Sequence, residues 1–100
     1  MVGATVTILY PASAAPFDMK YYLGTHMPLV ESKWSKFGLK SWHVTEINNE
    51  KYSTQCILFW DSEDAFAKAA AESSEEVMGD IKNFAQASPE MVIGKVVGGS

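Results

Sequence analysis

Four short stretches of the chain are rich in β-branched, aliphatic and aromatic residues and are bounded by proline, glycine or asparagine. This pattern predicts β-strands at residues 4–10, 39–47, 52–60 and 91–97. In the second stretch, Trp42 and Val44 fall on one face, whereas Ser41 and His43 fall on the other. A polar turn at residues 48–51 separates the second and third stretches, so we expect these two strands to form an antiparallel hairpin.

A helical pattern extends from Asp18, the expected N-cap, to Phe37. Its apolar positions recur at steps of three and four residues, at Met19, Leu23, Val30, Trp34 and Phe37. Gly24 and Pro28 interrupt the pattern, and because Pro28 cannot donate a backbone hydrogen bond we expect a kink or a new helix start there. His26 lies on the apolar stripe at this interruption, where the periodicity would otherwise place a hydrophobic side chain.

A second helix is predicted after the third strand. Asp61 or Ser62 is the expected N-cap, and Phe66 lies on the inner face of this helix. Ser73, with Glu76 three residues later, matches a capping box and predicts the start of a short further helix. Residues 80–84 are predicted to end that helix and lead through a loop to the last strand.

The predicted order of elements is β-α-β-β-α-β. This is the order of a ferredoxin-like α+β fold, in which a four-stranded antiparallel sheet carries both helices on one face. The other face would then expose apolar side chains, Leu9 and either Leu58 or Phe59 among them. A second layer must bury such a face, and another copy of the same sheet would do so. We therefore predict a homodimer that forms through the uncovered sheet face.

Composition narrows the class of protein. A chain of 100 residues that is 47% hydrophobic, without repeats or linkers, predicts a single domain spanning residues 1–100. No apolar run is long enough to span a membrane, and no signal-peptide pattern opens the chain. Cys56 is the one cysteine, so no internal disulfide can form, and we expect a soluble, cytoplasmic protein.

The charges narrow the class of ligand. The net charge is −4, and all eight cationic residues are lysines. Arginine is the usual side chain for recognising phosphate and guanine, and it is absent from the sequence. An acidic domain without arginine is a poor nucleic-acid binder, so we expect an uncharged or weakly polar ligand.

Two interpretations of His26 remain open from the residues alone. A histidine on an apolar stripe is often a core residue whose ring nitrogens bond to a neighbouring carbonyl or hydroxyl group. Histidine is also the side chain whose charge changes nearest neutral pH, as general acid–base chemistry requires. The interruption of the helix leaves polar backbone groups near the ring, and this favours the second interpretation.

Several polar side chains are candidates to share a site with this histidine. Tyr22 lies one helical turn before it, whereas Tyr21 and Tyr10 are phenols that would otherwise pack at the rim of the domain. Asp80 and Asn83 either form a polar pair at a helix end or reach the histidine.

The other titratable side chains are weaker candidates for a functional role. His43 is expected to be a half-exposed strand residue, or to line an internal cavity if its face meets a dimer partner. Cys56 lies in a buried strand and is expected to be a structural thiol. The histidines, cysteine and carboxylates have no metal-ligand spacing, and no glycine-rich phosphate loop occurs, so no metal and no phosphate-bearing cofactor is expected.

The residues around the histidine resemble a family signature. The segment Phe17-Asp18-x-x-Tyr21-Tyr22-x-x-x-His26-x-Pro28-Leu29, followed by Trp34, Gly38 and Leu39, resembles the EthD family. These small ferredoxin-like proteins of the dimeric α/β-barrel superfamily are named after ethyl tert-butyl ether degradation. The resemblance also covers Leu9-Tyr10-Pro11, the Phe66 helix and Glu76-x-Met78-x-Asp80-Ile81-x-Asn83-Phe84, and thus spans nearly the whole chain. Lys82 departs from the family, in which proline is common at this position.

The resemblance implies a homodimer with a pocket between sheet and helices, and a part in the oxidative catabolism or tailoring of small molecules without an established cofactor. Carried onto this sequence, His26 and Tyr22 match the motif positions, with Asp80 and Asn83 in the second matched segment. Our hypothesis is that His26 is the general acid or base and that Tyr22 orients the substrate or donates to a developing oxyanion. The expected ligand is small, hydrophobic and oxygen-bearing. Six further residues are expected to bind it: Tyr21, Tyr10, Trp60, Asp80, Asn83 and Phe84. The alternative is a non-catalytic carrier or scavenger that holds a hydrophobic metabolite in the same pocket.

Overall fold

A four-stranded antiparallel sheet forms one layer of the structure, a computed structural model that describes residues 2–100. Its strands are β1 (Ala4–Pro11), β2 (Leu39–Glu46), β3 (Tyr52–Trp60) and β4 (Glu90–Lys95). They lie in the order β2-β3-β1-β4, so that β2 and β3 form the predicted hairpin and β1 pairs with both β3 and β4. The predicted ferredoxin-like arrangement is confirmed.

The helices connect the strands and cover one face of the sheet. Between β1 and β2 come a 3-10 turn (Ala12–Ala14), α1 (Met19–Tyr21), a π-helical turn (Tyr22–His26), α2 (Met27–Trp34) and a second 3-10 turn (Ser35–Phe37). Between β3 and β4 come α3 (Glu63–Ser73), α4 (Glu75–Gly79) and a third 3-10 turn (Ile81–Asn83). The core lies between these helices and the inner face of the sheet.

Alternation along each strand decides which side chains enter this core. Val6 pairs with Leu58 across β1 and β3, and Leu58 pairs with Trp42 across β3 and β2, so all three share the helix-covered face. Leu58 is therefore a core residue, and of the two alternatives weighed for the uncovered face it is Phe59 that lies there. His43 also lies on the uncovered face, where its ring centroid is 5.3 Å from that of Phe59.

The uncovered face is partly apolar, as predicted. Its hydrophobic side chains come from three strands and are Leu9, Ile57, Phe59 and Val92. Val92 is 58% exposed, whereas the other three are half-buried by neighbours within the sheet. Threonine, serine and glutamine side chains separate them, so this face is a mixed surface rather than a continuous hydrophobic one.

The cap predictions are confirmed at two helix starts and wrong at a third. The Asp18 carboxylate accepts a hydrogen bond from the Tyr21 backbone N–H, and the Ser62 hydroxyl accepts one from Ala65. The capping box predicted at Ser73 does not form, because Ser73 is the last residue of α3. Ser74 is the N-cap of α4 instead, and its side chain makes no capping hydrogen bond.

Two other sequence predictions are corrected. Leu23 was expected on the inner stripe of the first helix, but it is 43% exposed because the helix widens beside it. The last strand was expected to continue to residue 97, but it ends at Lys95, and Val97 is 91% exposed. In residues 2–100 no helix combines the length and apolar character needed to cross a membrane.

Candidate functional site

The predicted helix interruption takes the form of a π-helical turn rather than a break. The Met27 N–H bonds to the Tyr22 carbonyl, five residues back instead of four, and the residues at both ends of the turn have helical backbone angles. The widened turn carries the chain past Pro28, which occupies the first turn of α2, where a missing N–H is tolerated. Such turns occur often at functional sites, and His26 is the last residue of this one.

His26 is buried and makes one polar contact within residues 2–100. The residue is only 4% exposed, and its Nδ1 atom lies 2.9 Å from Oδ2 of Asp80. Two rings hold the imidazole from the sides: Tyr22 stacks on it with centroids 5.4 Å apart, and Phe84 packs at 4.5 Å. The position of the imidazole is therefore set by one hydrogen bond and two aromatic contacts.

Asp80 follows α4 and receives hydrogen bonds on both carboxylate oxygens. Besides the contact of Oδ2 with His26, Oδ1 accepts from the Tyr21 hydroxyl at 2.6 Å and from the Asn83 side-chain amide at 2.8 Å. Partial burial by itself would raise the pKa of Asp80, but the donors from Tyr21, Asn83 and His26 outweigh it and lower this pKa. Asp80 is therefore an ionised carboxylate at neutral pH.

The ionised carboxylate determines where the proton of His26 lies. A carboxylate only accepts hydrogen bonds, so Nδ1 of His26 must donate to Asp80. Burial lowers the pKa of His26, and the hydrogen bond and charge of Asp80 offset part of this effect. His26 is thus neutral at pH 7, with its proton on Nδ1 and a lone pair on Nε2.

A cavity lies beside His26, between the helices and the inner face of the sheet. Its walls are mainly aliphatic side chains, methionines and aromatic rings: Ile8, Tyr10, Tyr22, His26, Met27, Val30, Trp34, Leu58, Val77, Met78, Ile81, Pro89 and Met91. Its volume is about 20 Å³, enough for roughly one water molecule. His26 lines the cavity, whereas Asp80, which contacts its Nδ1 atom, does not.

The two phenols on the cavity wall stay neutral at physiological pH. Burial raises the pKa of Tyr22 and of Tyr10 well above the ordinary value, and the nearby Cys56 thiol raises both further. Burial also raises the pKa of Cys56 to about 11, so this thiol is not the reactive thiolate that a nucleophilic cysteine would need. Tyr10 and Tyr22 can therefore donate hydrogen bonds but cannot serve as bases.

The predicted site residues fall into three places. His26, Tyr22 and Tyr10 line the cavity. Asp80 and Phe84 contact the imidazole without lining the cavity, and Tyr21 and Asn83 bond to Asp80. Trp60 is separate from both groups: it is fully buried against Trp34 and Phe66, and its indole N–H finds no hydrogen-bond partner in the described residues.

Methionines contribute to the cavity in a way that the sequence analysis missed. Met27 and Met91 are on its wall, and Met78 lies on the same wall while remaining 43% exposed. The alternation of β4 would have placed Met91 on the inner face, opposite Ile8. Flexible thioether side chains allow the shape of a cavity to change at low cost.

The titratable side chains do not form a metal site in the part of the chain that the structure describes. No group of three or more histidine, cysteine, aspartate or glutamate side chains lies close enough to hold a metal ion in residues 2–100.

Comparison with known proteins places the fold. No protein-family model matches the sequence, and no curated protein is similar enough in sequence to count as a relative. Among solved structures, an EthD-like protein from Ralstonia eutropha JMP134 is 25% identical, with a TM-score of 0.83, over 97% of this chain and 94% of that chain. The resemblance to the EthD family is confirmed, since this likeness extends over nearly the whole chain.

Two more distant structures share the architecture. A dimeric ferredoxin-like protein from an uncultured marine organism is 15% identical, with a TM-score of 0.62, over 100% of this chain and 92% of that chain. SnoaB, a cofactor-independent oxygenase from Streptomyces nogalater, is 13% identical, with a TM-score of 0.67, over 99% of this chain and 97% of that chain. The chain thus has the same ferredoxin-like fold as these two proteins.

Proposed function

We propose that this protein is a cofactor-independent small-molecule enzyme in which His26 is the general acid or base and the substrate is apolar and oxygen-bearing. One observation carries the proposal: a buried, neutral His26 bonds through Nδ1 to the Asp80 carboxylate and lines an apolar cavity. A core histidine that served only packing would not need an ionised carboxylate behind it, because burying that charge is costly.

The arrangement suits proton abstraction from a weakly acidic group. Nε2 would accept a proton from a carbon next to a carbonyl, or from a phenol, and the electron pair would stay on the substrate as an enolate or phenolate. The Asp80 charge would then stabilise the imidazolium that forms. Return of the proton at another atom gives isomerisation. In a decarboxylation, a substrate carboxylate would leave as carbon dioxide, and the enolate left behind would take a proton from the protonated imidazole. With dioxygen as the oxidant, the anion would add dioxygen, the imidazolium would return its proton to give a hydroperoxide, and loss of water would leave a new carbonyl group.

Tyr22 is suited to orienting the substrate. Its ring stacks on His26, and it lies on the cavity wall. Because burial keeps its hydroxyl protonated, Tyr22 can donate a hydrogen bond to the oxygen on which negative charge develops. Tyr10, whose ring centroid is 5.9 Å from that of Tyr22, is the second neutral donor on this wall.

The cavity must enlarge before it can hold a substrate. A volume of about 20 Å³ accepts one water molecule, whereas small-molecule pockets are usually about 300 Å³ or more. Met78 and Met91 are the side chains best able to move, because both lie on the wall and neither is fully buried. The substrate would enter between α4 and β4, where these two residues lie.

The comparisons support this class of function without defining the reaction. SnoaB, which has the same fold, is a cofactor-independent oxygenase. The EthD-like protein from Ralstonia eutropha supports a role in small-molecule chemistry, because the EthD family is named after ethyl tert-butyl ether degradation. His26 and Asp80 enter the proposal from the geometry of this chain, not from either protein.

A homodimer is part of the proposal. Leu9, Ile57, Phe59 and Val92 lie on the sheet face opposite the helices, and a second copy packed face to face would remove them from water. One structure with the same fold is described as dimeric. The cavity lies on the other face, so pairing through the sheet would leave access to His26 open.

A carrier or scavenger of a hydrophobic metabolite is the second candidate function. The observation that favours it is the apolar character of the cavity wall, on which the polar side chains are His26, Tyr10 and Tyr22. In a carrier, His26 would only donate or accept a hydrogen bond, and the bound molecule would leave unchanged.

A ligand screen followed by mass spectrometry distinguishes the two candidates. Neutral aromatic and carbonyl compounds that raise the melting temperature of the protein are incubated with it, and the mixture is analysed over time. An enzyme converts at least one of them at a rate proportional to protein concentration. A carrier returns every bound compound unchanged, and that result would refute the catalytic proposal.

A further inference from the structure

Three different segments of the chain meet at the Asp80 carboxylate. The Tyr21 hydroxyl comes from α1, the His26 imidazole from the π-helical turn and the Asn83 amide from the 3-10 turn that follows α4. The three heavy-atom distances are 2.6, 2.9 and 2.8 Å. Tyr21 and Asn83 share Oδ1, so that Oδ2 is left to His26.

The π-helical turn brings Tyr21 and His26 to the same carboxylate. The two residues are five positions apart, and in an α-helix of 3.6 residues per turn this is about 1.4 turns, which points them to different sides. A turn whose hydrogen bond spans five residues brings such a pair closer to the same side. The extra residue in the turn therefore has a use beyond carrying the chain past Pro28.

Tyr21 is itself held in place. Its backbone N–H donates to the Asp18 carboxylate at 3.0 Å, and its ring stacks on Phe84 with centroids 6.3 Å apart. Its bond to Asp80 raises the pKa of the Tyr21 hydroxyl, so this group remains protonated and remains a donor. Tyr21 does not line the cavity, and a molecule inside the cavity would not contact it.

We propose that Tyr21 is a positioning residue: by holding Oδ1 of Asp80, it keeps Oδ2 on Nδ1 of His26 and so keeps the Nε2 lone pair available to the cavity. The catalytic consequence of this positioning rests on the proposed function, whereas the effect of Tyr21 on the Asp80–His26 hydrogen bond does not. The side chain of Asp80 is 12% exposed, so without Tyr21 the carboxylate can turn toward water and release His26. Neutral imidazole would then populate the other tautomer, in which Nε2 carries the proton.

The test is the tautomer ratio of His26, measured at neutral pH from the imidazole nitrogen shifts in long-range ¹H–¹⁵N NMR spectra. The sequence has two histidines, and a His43→Gln variant assigns their signals. Tyr21→Phe removes the hydroxyl and keeps the ring on Phe84. Tyr52→Phe is the matched control, because Tyr52 begins β3 and does not touch Asp80 or His26.

The wild type is expected to hold His26 almost wholly in the Nδ1–H tautomer. Tyr21→Phe should lower the Nδ1–H to Nε2–H ratio at least about five-fold, since hydrogen bonds to charged groups are worth more than neutral ones. Tyr52→Phe should leave the ratio within two-fold of the wild type. Asn83→Leu removes the second donor on Oδ1 and should shift the ratio in the same direction as Tyr21→Phe.

The inference is overturned if Tyr21→Phe lowers the melting temperature but leaves the tautomer ratio within two-fold, because Tyr21 would then be merely structural. It is also overturned if the wild type carries its proton on Nε2. The tautomer ratio can change in Tyr21→Phe even if the protein converts none of its ligands. That combination would support the positioning role of Tyr21 and would contradict the proposed catalysis. The two proposals can therefore fail separately.

Discussion

The imidazole of His26 and the carboxylate of Asp80 are 54 residues apart in the chain and 2.9 Å apart in the structure. His26 closes a π-helical turn between β1 and β2, and Asp80 follows α4 between β3 and β4, so the contact joins the two helical connections that cover the sheet. The contact identifies the polar partner of His26, for which the core interpretation expected a carbonyl or hydroxyl group. The partner is a carboxylate, not a backbone carbonyl or a hydroxyl group.

Replacing Asp80 should move the titration of His26 to lower pH. Burial lowers the pKa of His26 below its ordinary value of about 6.5, and Asp80 opposes this effect through its hydrogen bond and charge. Asp80→Asn keeps the size of the side chain but removes the charge, so the pKa of His26 should fall further. An NMR titration of the wild type and the variant measures both values. A higher pKa of His26 in Asp80→Asn would contradict the electrostatic description.

The free energy of unfolding should decrease as the pH is lowered, and part of this decrease should depend on His26. Its pKa is lower in the folded than in the unfolded protein, so the unfolded state binds more protons below about pH 6.5. The contribution of neutral His26 is complete above that pH and is lost as the pH falls.

His26→Gln cannot titrate and therefore isolates this contribution. Its melting temperature should drop less between pH 7.5 and 5.5 than that of the wild type, as measured by circular dichroism. His43→Gln serves as the control, because this exposed residue on the uncovered face is remote from Asp80. Equal drops in the wild type and in His26→Gln would show that His26 is not the group responsible.

The uncovered sheet face should control oligomeric state. Phe59→Lys places a charge among Leu9, Ile57 and Val92, and a charge buried in a sheet-to-sheet interface without a partner is costly. We expect the dimer dissociation constant to rise at least tenfold in sedimentation experiments, with an unchanged circular dichroism spectrum. Ala67→Lys, on an exposed position of α3, adds the same charge elsewhere and should leave the dimer intact. A Phe59→Lys protein that dimerises as tightly as the wild type would place the interface elsewhere.

Filling the cavity should prevent ligand binding. Met91→Trp adds bulk at the wall next to Met78, so a compound that stabilises the wild type should bind at least tenfold more weakly, which is about 1.4 kcal/mol. Ile93→Trp is the matched control, because Ile93 lies on the same face of β4, is 48% exposed and is not on the cavity wall. Calorimetric titration measures both. Equal affinity in Met91→Trp and the wild type would mean that the ligand binds outside this cavity.

The fold was predictable because local sequence patterns determine its helices and strands. The alternation of Trp42 and Val44 against His43 assigned the faces of β2, and Ser62 marked the start of α3. These features depend on spacing and on short-range hydrogen bonds, both of which can be read from neighbouring residues. The order of elements then restricted the chain to very few topologies.

The site was only partly predictable, because its decisive contacts are long-range or depend on one extra residue in a turn. The motif identified His26 and Tyr22, but the same spacing would fit an ordinary α-helix, and nothing local indicates that Tyr21 and His26 share Asp80. Trp60 illustrates the opposite error. Trp60 was expected to bind the ligand, but its ring packs against Trp34 and Phe66 in the core and does not line the cavity.

The turnover of an identified ligand by His26→Ala, compared with the wild type, shows whether His26 is the acid–base residue. The wild type and a His43→Ala control are incubated with the ligand found by thermal shift, and product is measured by mass spectrometry. Loss of a positioned general base should lower the rate about 10²–10⁴-fold in His26→Ala, while His43→Ala keeps the wild-type rate and both variants stay folded. If folded His26→Ala forms product within about twofold of the wild-type rate, His26 is not the acid–base residue, and the proposed mechanism is wrong.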